Sequence, residues 1–121
     1  MKNIMRGDIL LIKLKKNNLH IQSGIRSCIV VQNNFGNTFS QTLIVVPLTT
    51  KMKKINMPVH LAIDLKQMAL CESIMTISKK QIIGYIGTLD EKVMNQLDNA
   101  LSISLGLKGR KVYKDKDKAV L

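Results

Sequence analysis

The sequence predicts a mainly β domain closed by one C-terminal helix, folded as a small barrel with that helix packed on it. Three observations carry this reading. Short apolar runs recur between clusters of Gly, Asn and Ser, as strands between turns do. One stretch near the C-terminus repeats apolar residues at three- and four-residue spacing. The chain has 121 residues, one domain's worth, of which 45% are hydrophobic, enough for a core without crosslinks.

Asp8 to Leu14 (DILLIKL) reads as a buried strand after an Arg6-Gly7 turn. Lys15 to Gly24 is a polar loop. Arg26 to Gln32 (RSCIVVQ) is a second strand, and its run Cys28-Ile29-Val30-Val31 predicts burial on both faces. Asn33 to Ser40 reads as a turn-rich loop. Thr42 to Leu48 is a third strand, in which Pro47 marks an edge, a bulge or the strand's end. Thr49 to Met57 is a basic loop. Pro58 to Ile63, Ser73 to Ile77 and Ile82 to Ile86 are further short strands, the last broken by Gly84 with a bulge expected there.

The helix follows. Thr88 and Glu91 have capping-box spacing. Val93, Met94, Leu97, Leu101 and Leu105 form a single apolar stripe, and Gly106 or Gly109 can end it. Residues 1–107 thus form the expected domain. Residues 108–121 form a basic tail, with six Lys or Arg against Asp115 and Asp117, expected to be poorly ordered.

Charge narrows the function. Nineteen Lys and Arg against eight Asp and Glu leave a net charge of +11, which favours a polyanionic partner, nucleic acid first. Aromatics are scarce: Phe35, Phe39, Tyr85 and Tyr113 are all there are, so extended base stacking is not favoured. No apolar run is long enough for a membrane helix, and the N-terminus lacks the features of a signal peptide, so a cytoplasmic protein is expected. Two cysteines exclude a disulfide framework. Cys28 and Cys71 have no His at ligand spacing and read as buried structural thiols. His20 and His60 are isolated in sequence, the first read as a surface residue and the second as structural. No metalloprotease, phosphate-loop or nucleophile-elbow motif occurs.

Two segments remain. Gln22 to Arg26 is a small-residue loop leading into a strand that opens with Arg, and an Arg there can grip a phosphate with two donors. Pro47 to Lys51 places hydroxyls at another strand's end beside basic residues. Residue pattern alone leaves two possibilities open. Arg26 and Thr49 meet at one phosphate, or Arg26 is a surface ion-pair partner and Thr49 a turn residue.

The ordered series Arg6-Gly7-Asp8, Gly24-Ile25-Arg26, Val30-Val31-Gln32-Asn33, Gly36-Asn37-Thr38-Phe39-Ser40 and Val45-Val46-Pro47-Leu48-Thr49 resembles the MazF/PemK toxins. Their corresponding stretches read RGD, GGxRP, VIQN, GNxFSPT and VAPIT. Cys71-Glu72-Ser73-Ile74-Met75-Thr76 is similar to that family's CEQIRT. The resemblance implies an SH3-like barrel of the CcdB/PemK type, assembled as a homodimer. It implies a sequence-selective, metal- and cofactor-independent endoribonuclease of a type II toxin–antitoxin system. Its substrate would be single-stranded RNA, cut by 2′-hydroxyl attack to leave a 2′,3′-cyclic phosphate and a 5′-hydroxyl. Arg26 and Thr49 fall on the family's catalytic positions. Asn33, Lys53, Lys54 and Met57 would line the RNA groove. A MazE-like antitoxin is the implied partner, and operator DNA is contacted only through the antitoxin complex. The sequence departs from the family pattern at Ser27 and Gln41, where Pro is usual, and at Met75, where Arg is usual. It also has Ile21 where an acidic residue is common, and a shortened stretch over residues 64–72. A non-catalytic nucleic-acid binder and a gyrase poison on the same barrel are the alternatives.

Overall fold

The backbone alternates between two buried faces, and that alternation organises the chain. The computed structural model describes residues 3–15, 24–52 and 58–107. Within them lie β1 (Asp8–Leu14), β2 (Gly24–Val30), α1 (Asn34–Phe39), β3 (Thr42–Thr49), β4 (His60–Ala62), β5 (Met68–Leu70), β6 (Met75–Ser78), β7 (Ile82–Thr88) and α2 (Glu91–Ser104). A single 3-10 turn, Lys79–Gln81, joins β6 to β7. The sheet runs β4-β5-β3-β2-β1-β7, every pairing antiparallel, with β6 on the same edge of β3 as β5.

Successive strand residues point to opposite faces. Leu10, Ile12, Cys28, Val30, Val45 and Ile77 therefore fill the inside of a curl made by β7, β1, β2, β3 and β6. This is the expected small SH3-like barrel. Ile29, Val46, Leu48 and Ala69 face the other way and pack under Leu97, Ala100 and Leu101 of α2. The unbroken apolar run in β2 is explained by this two-sided burial.

β3 changes partner along one edge. Residues 42–45 pair with β6, and Leu48 and Thr49 pair with β5. The Ile44 carbonyl accepts from the Val31 amide, so it turns toward β2. Odd-numbered residues of β3 turn to the opposite edge. Pro47, which has no N–H to offer, thus falls where β6 has ended and β5 has barely begun. It marks neither a sheet edge nor the strand's end, but a gap between two neighbours of a central strand.

Arg6-Gly7-Asp8 proves to be a structural staple. Gly7 has φ +95°, and a Cβ on it would lie 3.2 Å from the Met94 sulfur. Asp8 is 2% exposed; its carboxylate accepts from the Met5 amide and from the Thr88 hydroxyl, both at 2.8 Å. Arg6 donates through Nε to the Val31 carbonyl at 2.7 Å and pairs through Nη1 with Asp98 at 2.7 Å. The second contact is an ion pair whose angle does not make a hydrogen bond. These bonds fasten β1 to β7, β2 and α2.

Several expectations are corrected. Asn33 to Ser40 is not all loop: Asn34–Phe39 is helical, despite an Asn-, Gly- and Thr-rich sequence of low propensity. Side chains override that propensity. Asn33 caps the helix by accepting from the Gly36 amide at 2.8 Å. Buried Asn37 and Gln32 bond to one another and to the backbone of residues 32 and 42. The cap of α2 is Asp90, which accepts from the Val93 amide at 2.8 Å, and not Thr88, whose hydroxyl is committed to Asp8. Gly106, with φ +73°, ends α2. The Leu107 amide reaches the Ser102 carbonyl and the Gly106 amide the Ile103 carbonyl, a Schellman closure. Leu105 caps the helix end and is exposed instead of continuing the buried stripe. β2 begins at Gly24 and stops at Val30, and β5 was not expected at all. β7 carries two irregularities against β1, leaving Ile83 and Ile86 as extra, exposed residues on either side of Gly84 and Tyr85. The tail from residue 108 lies outside the described residues.

Removing the Asp8 carboxylate takes the acceptor from two part-buried bonds, those of the Met5 amide and the Thr88 hydroxyl. Asp8→Ala is expected to lower unfolding free energy by about 2–3 kcal/mol, measured by urea denaturation. A loss under about 0.5 kcal/mol contradicts the staple.

Candidate functional site

The site follows from a register. β2 and β3 pair Cys28 with Pro47, Ile29 with Val46 and Val30 with Val45. The β2–β3 pairing ends at Cys28–Pro47; the same register continued two residues further toward the start of β2 would bring Arg26 across from Thr49. Residues directly opposite share a face, so both belong to the face of the barrel interior, at the end where the core gives out. Arg26 is also paired with Ile12 of β1, and Thr49 with Met68 of β5.

The two side chains differ in surroundings. Arg26 is half-buried, and among the described residues no acceptor holds its guanidinium. Its guanidinium offers five N–H donors in a fixed fork. Thr49 is 7% exposed, and its Oγ1 accepts from the Lys51 amide at 3.1 Å. That bond fixes the oxygen at the strand's end and leaves its proton to donate.

Cys28 sits two residues from Arg26 on the same face. Burial pushes its thiol from the ordinary 9.0 to about 12, while the Arg26 charge pulls it the other way. Burial also raises Cys71 to about 12, with Glu72 adding to the rise. Neither thiol is a nucleophile near neutral pH. Among the described residues, no three His, Cys, Asp or Glu side chains gather as metal ligands do. A cationic fork beside a fixed hydroxyl suits one ligand class above others: a phosphodiester.

The remaining candidates are scattered. Asn33 is exposed, and its side-chain oxygen is occupied as the α1 cap. It lies seven residues beyond Arg26 along an extended chain, roughly 20 Å away, so one chain does not bring it to the Arg26–Thr49 end. Lys53, Lys54, Met57 and His20 lie outside the described residues. Met75 sits in β6 opposite Val45. His60, isolated in sequence, is bonded through Nε2 to Glu72 at 2.5 Å. Sequence spacing held no signal for that contact, because the β4–β5 hairpin makes it. Among the described residues no helix is long and apolar enough to cross a membrane.

Comparison with known proteins gives the same region of chain a context. Residues 5–105 match the family model described as PemK-like, MazF-like toxin of type II toxin–antitoxin system. The chain is 37% identical over 111 residues to Endoribonuclease EndoA of Bacillus subtilis (strain 168), covering 86% of this chain and 96% of that protein. A mycobacterial endoribonuclease solved with its cognate antitoxin superposes with a TM-score of 0.75 at 26% identity, covering 86% of this chain and 96% of that one. MazF from Deinococcus radiodurans shares the fold, with a TM-score of 0.74 at 16% identity over 88% of this chain and 99% of its own.

Both thiols should resist a disulfide reagent at pH 8 in the native protein, and both should react in denaturant. Because their folded pKa lies near 12, above the ordinary 9.0, their contribution to stability is full below pH 9 and is lost as pH rises toward 12. Stoichiometric labelling of the native protein at pH 8 contradicts the burial argument.

Proposed function

This chain belongs to the PemK-like, MazF-like family of type II toxin–antitoxin toxins, and we propose that it cuts single-stranded RNA at a phosphodiester held between Arg26 and Thr49. The observation that supports the proposal is the β2–β3 register, which, continued beyond its last pair at Cys28 and Pro47, leads those two residues toward one end of one face. The 37% identity to a protein named as an endoribonuclease supports the reaction class.

The chemistry follows from the groups present. The RNA 2′-hydroxyl oxygen attacks the adjacent phosphorus, and the bond from phosphorus to the 5′-oxygen breaks. A 2′,3′-cyclic phosphate and a 5′-hydroxyl result. Negative charge grows on the non-bridging oxygens as the phosphorane forms. The Arg26 guanidinium meets that charge with two parallel donors, and the Thr49 hydroxyl donates a third bond. Arg26 stays protonated throughout, since its pKa lies above about 12. Water takes the 2′ proton, and the leaving 5′-oxygen is protonated in turn. The required positive charge comes from Arg26, and the mechanism invokes no metal.

Lys53, Lys54 and Met57, outside the described residues, are assigned to RNA binding by the family resemblance alone, and Asn33 reads a distant nucleotide or one bound by a second copy in a homodimer. The partner is a cognate antitoxin, as in the mycobacterial complex of similar fold. An acidic and apolar segment suits a toxin of net charge +11. Its RNA substrate places the toxin in the cytoplasm.

The test uses purified protein and a mixed-sequence RNA in EDTA. Wild type should leave cyclic-phosphate ends. Arg26→Ala should lower kcat by about 10²–10³-fold and Thr49→Ala by about 10²-fold, with circular dichroism unchanged. Cleavage by Arg26→Ala at the wild-type rate overturns the assignment.

A further inference from the structure

The face that carries Arg26 and Thr49 carries one more polar side chain in the neighbouring row. β4 and β5 pair Ala62 with Met68 and His60 with Leu70. β5 and β3 pair Met68 with Thr49. One row across the sheet is therefore Thr49, Met68 and Ala62, which the β2–β3 register, continued past its last pair, extends to Arg26. The next is Cys28, Pro47, Leu70 and His60. The opposite face of the same strands, Leu48, Ala69 and Leu61, packs toward α2.

The His60 side chain is 9% exposed and does not float in this row. Its Nε2 bonds Glu72 Oε2 at 2.5 Å, while Nδ1 is buried and has no hydrogen-bond partner. The tautomer with hydrogen on Nε2 fits both facts, since it donates to Glu72 and spares Nδ1 a stranded donor. Glu72 lies past the end of β5, in the turn toward β6. The bond thus ties the start of β4 to the chain between β5 and β6. The Cys71 amide reaches the Val59 carbonyl at 2.9 Å in the same place.

This place matters because the sheet is weakest there. β3 leaves β6 at Val45 and meets β5 only at Leu48 and Thr49, with Pro47 offering no N–H between. The β4–β5 hairpin joins the barrel through a two-residue ladder, and one of those two residues is Thr49. We propose that His60 is a positioning residue for RNA cleavage: bonded to Glu72, it clasps β4 to the turn beyond β5, keeps the β4–β5 hairpin rigid, and through the short β5–β3 ladder supports the strand end that carries Thr49. The role in cleavage rests on the reaction proposed above; the clasp itself rests on the sheet.

The test combines kinetics with amide hydrogen exchange in five proteins: wild type, His60→Leu, Glu72→Ala, Glu72→Gln and the His60→Leu/Glu72→Ala double variant. Assays run well below each variant's melting temperature. His60→Leu and Glu72→Ala should each lower kcat by about tenfold while KM stays within about twofold. The double variant should be no worse than either single one, because both break one bond. Glu72→Gln keeps an acceptor for Nε2 and should retain kcat within about threefold. Exchange at the Leu48–Thr49 and Met68–Ala69 amides should quicken by about tenfold in His60→Leu, with β1 and β2 unchanged. Unaltered kcat and unaltered exchange in His60→Leu overturn the proposal, as does a Glu72→Gln variant as impaired as Glu72→Ala. Wild-type protein that cuts no RNA overturns the cleavage reading instead, and the exchange data then decide the clasp alone.

Discussion

The antiparallel register between β2 and β3 is the constraint on which the rest of this molecule depends. Three recorded pairs, Cys28 with Pro47 through Val30 with Val45, fix it. A slip of one residue would turn Ile29 and Val46 away from α2 and push Cys28 and Val30 out of the barrel. It would also move Arg26 out of line with Thr49. The two-sided core therefore enforces the same register on which the proposed site depends. Packing and chemistry are set by one choice.

Arg6, Gly7 and Asp8 guard that register from the other side of β2. Their bonds reach Val30 and Val31, Thr88, and Asp98, in three different parts of the chain. The buried Gln32–Asn37 pair holds the loop that reverses direction between β2 and β3. These polar residues are distant from Arg26 along the strand. What they fix is the geometry of the sheet. The far end of β3 has fewer supports, since it exchanges β6 for β5 at a proline, and there a histidine and a glutamate take over.

Much of this was legible in the sequence, and the reasons are physical. β1 and β3 are long apolar runs, and α2 has a clean stripe, so their period declares them. Arg26 and Thr49 were identifiable as strand-end residues, and the family resemblance added their roles. Their alignment was not legible, because register is a relation between strands. α1 was missed since its stability comes from side-chain bonds of Asn33, Asn37 and Gln32 that cross elements. β5 was missed because three buried residues carry no period. Thr88 had the spacing of a helix cap, but a buried Asp8, eighty residues away, claimed its hydroxyl. His60 looked isolated because its partner stands across a hairpin.

The most direct measurement is a structure of the protein bound to a short RNA carrying a 2′-deoxy substitution at the cut site, which binds and cannot react. The account predicts the Arg26 guanidinium and the Thr49 hydroxyl on non-bridging oxygens of one phosphate, with the 2′-carbon of the preceding sugar beside its phosphorus. An oligonucleotide whose cut-site phosphate is held by other residues, with Arg26 and Thr49 on separate phosphates or none, would contradict it.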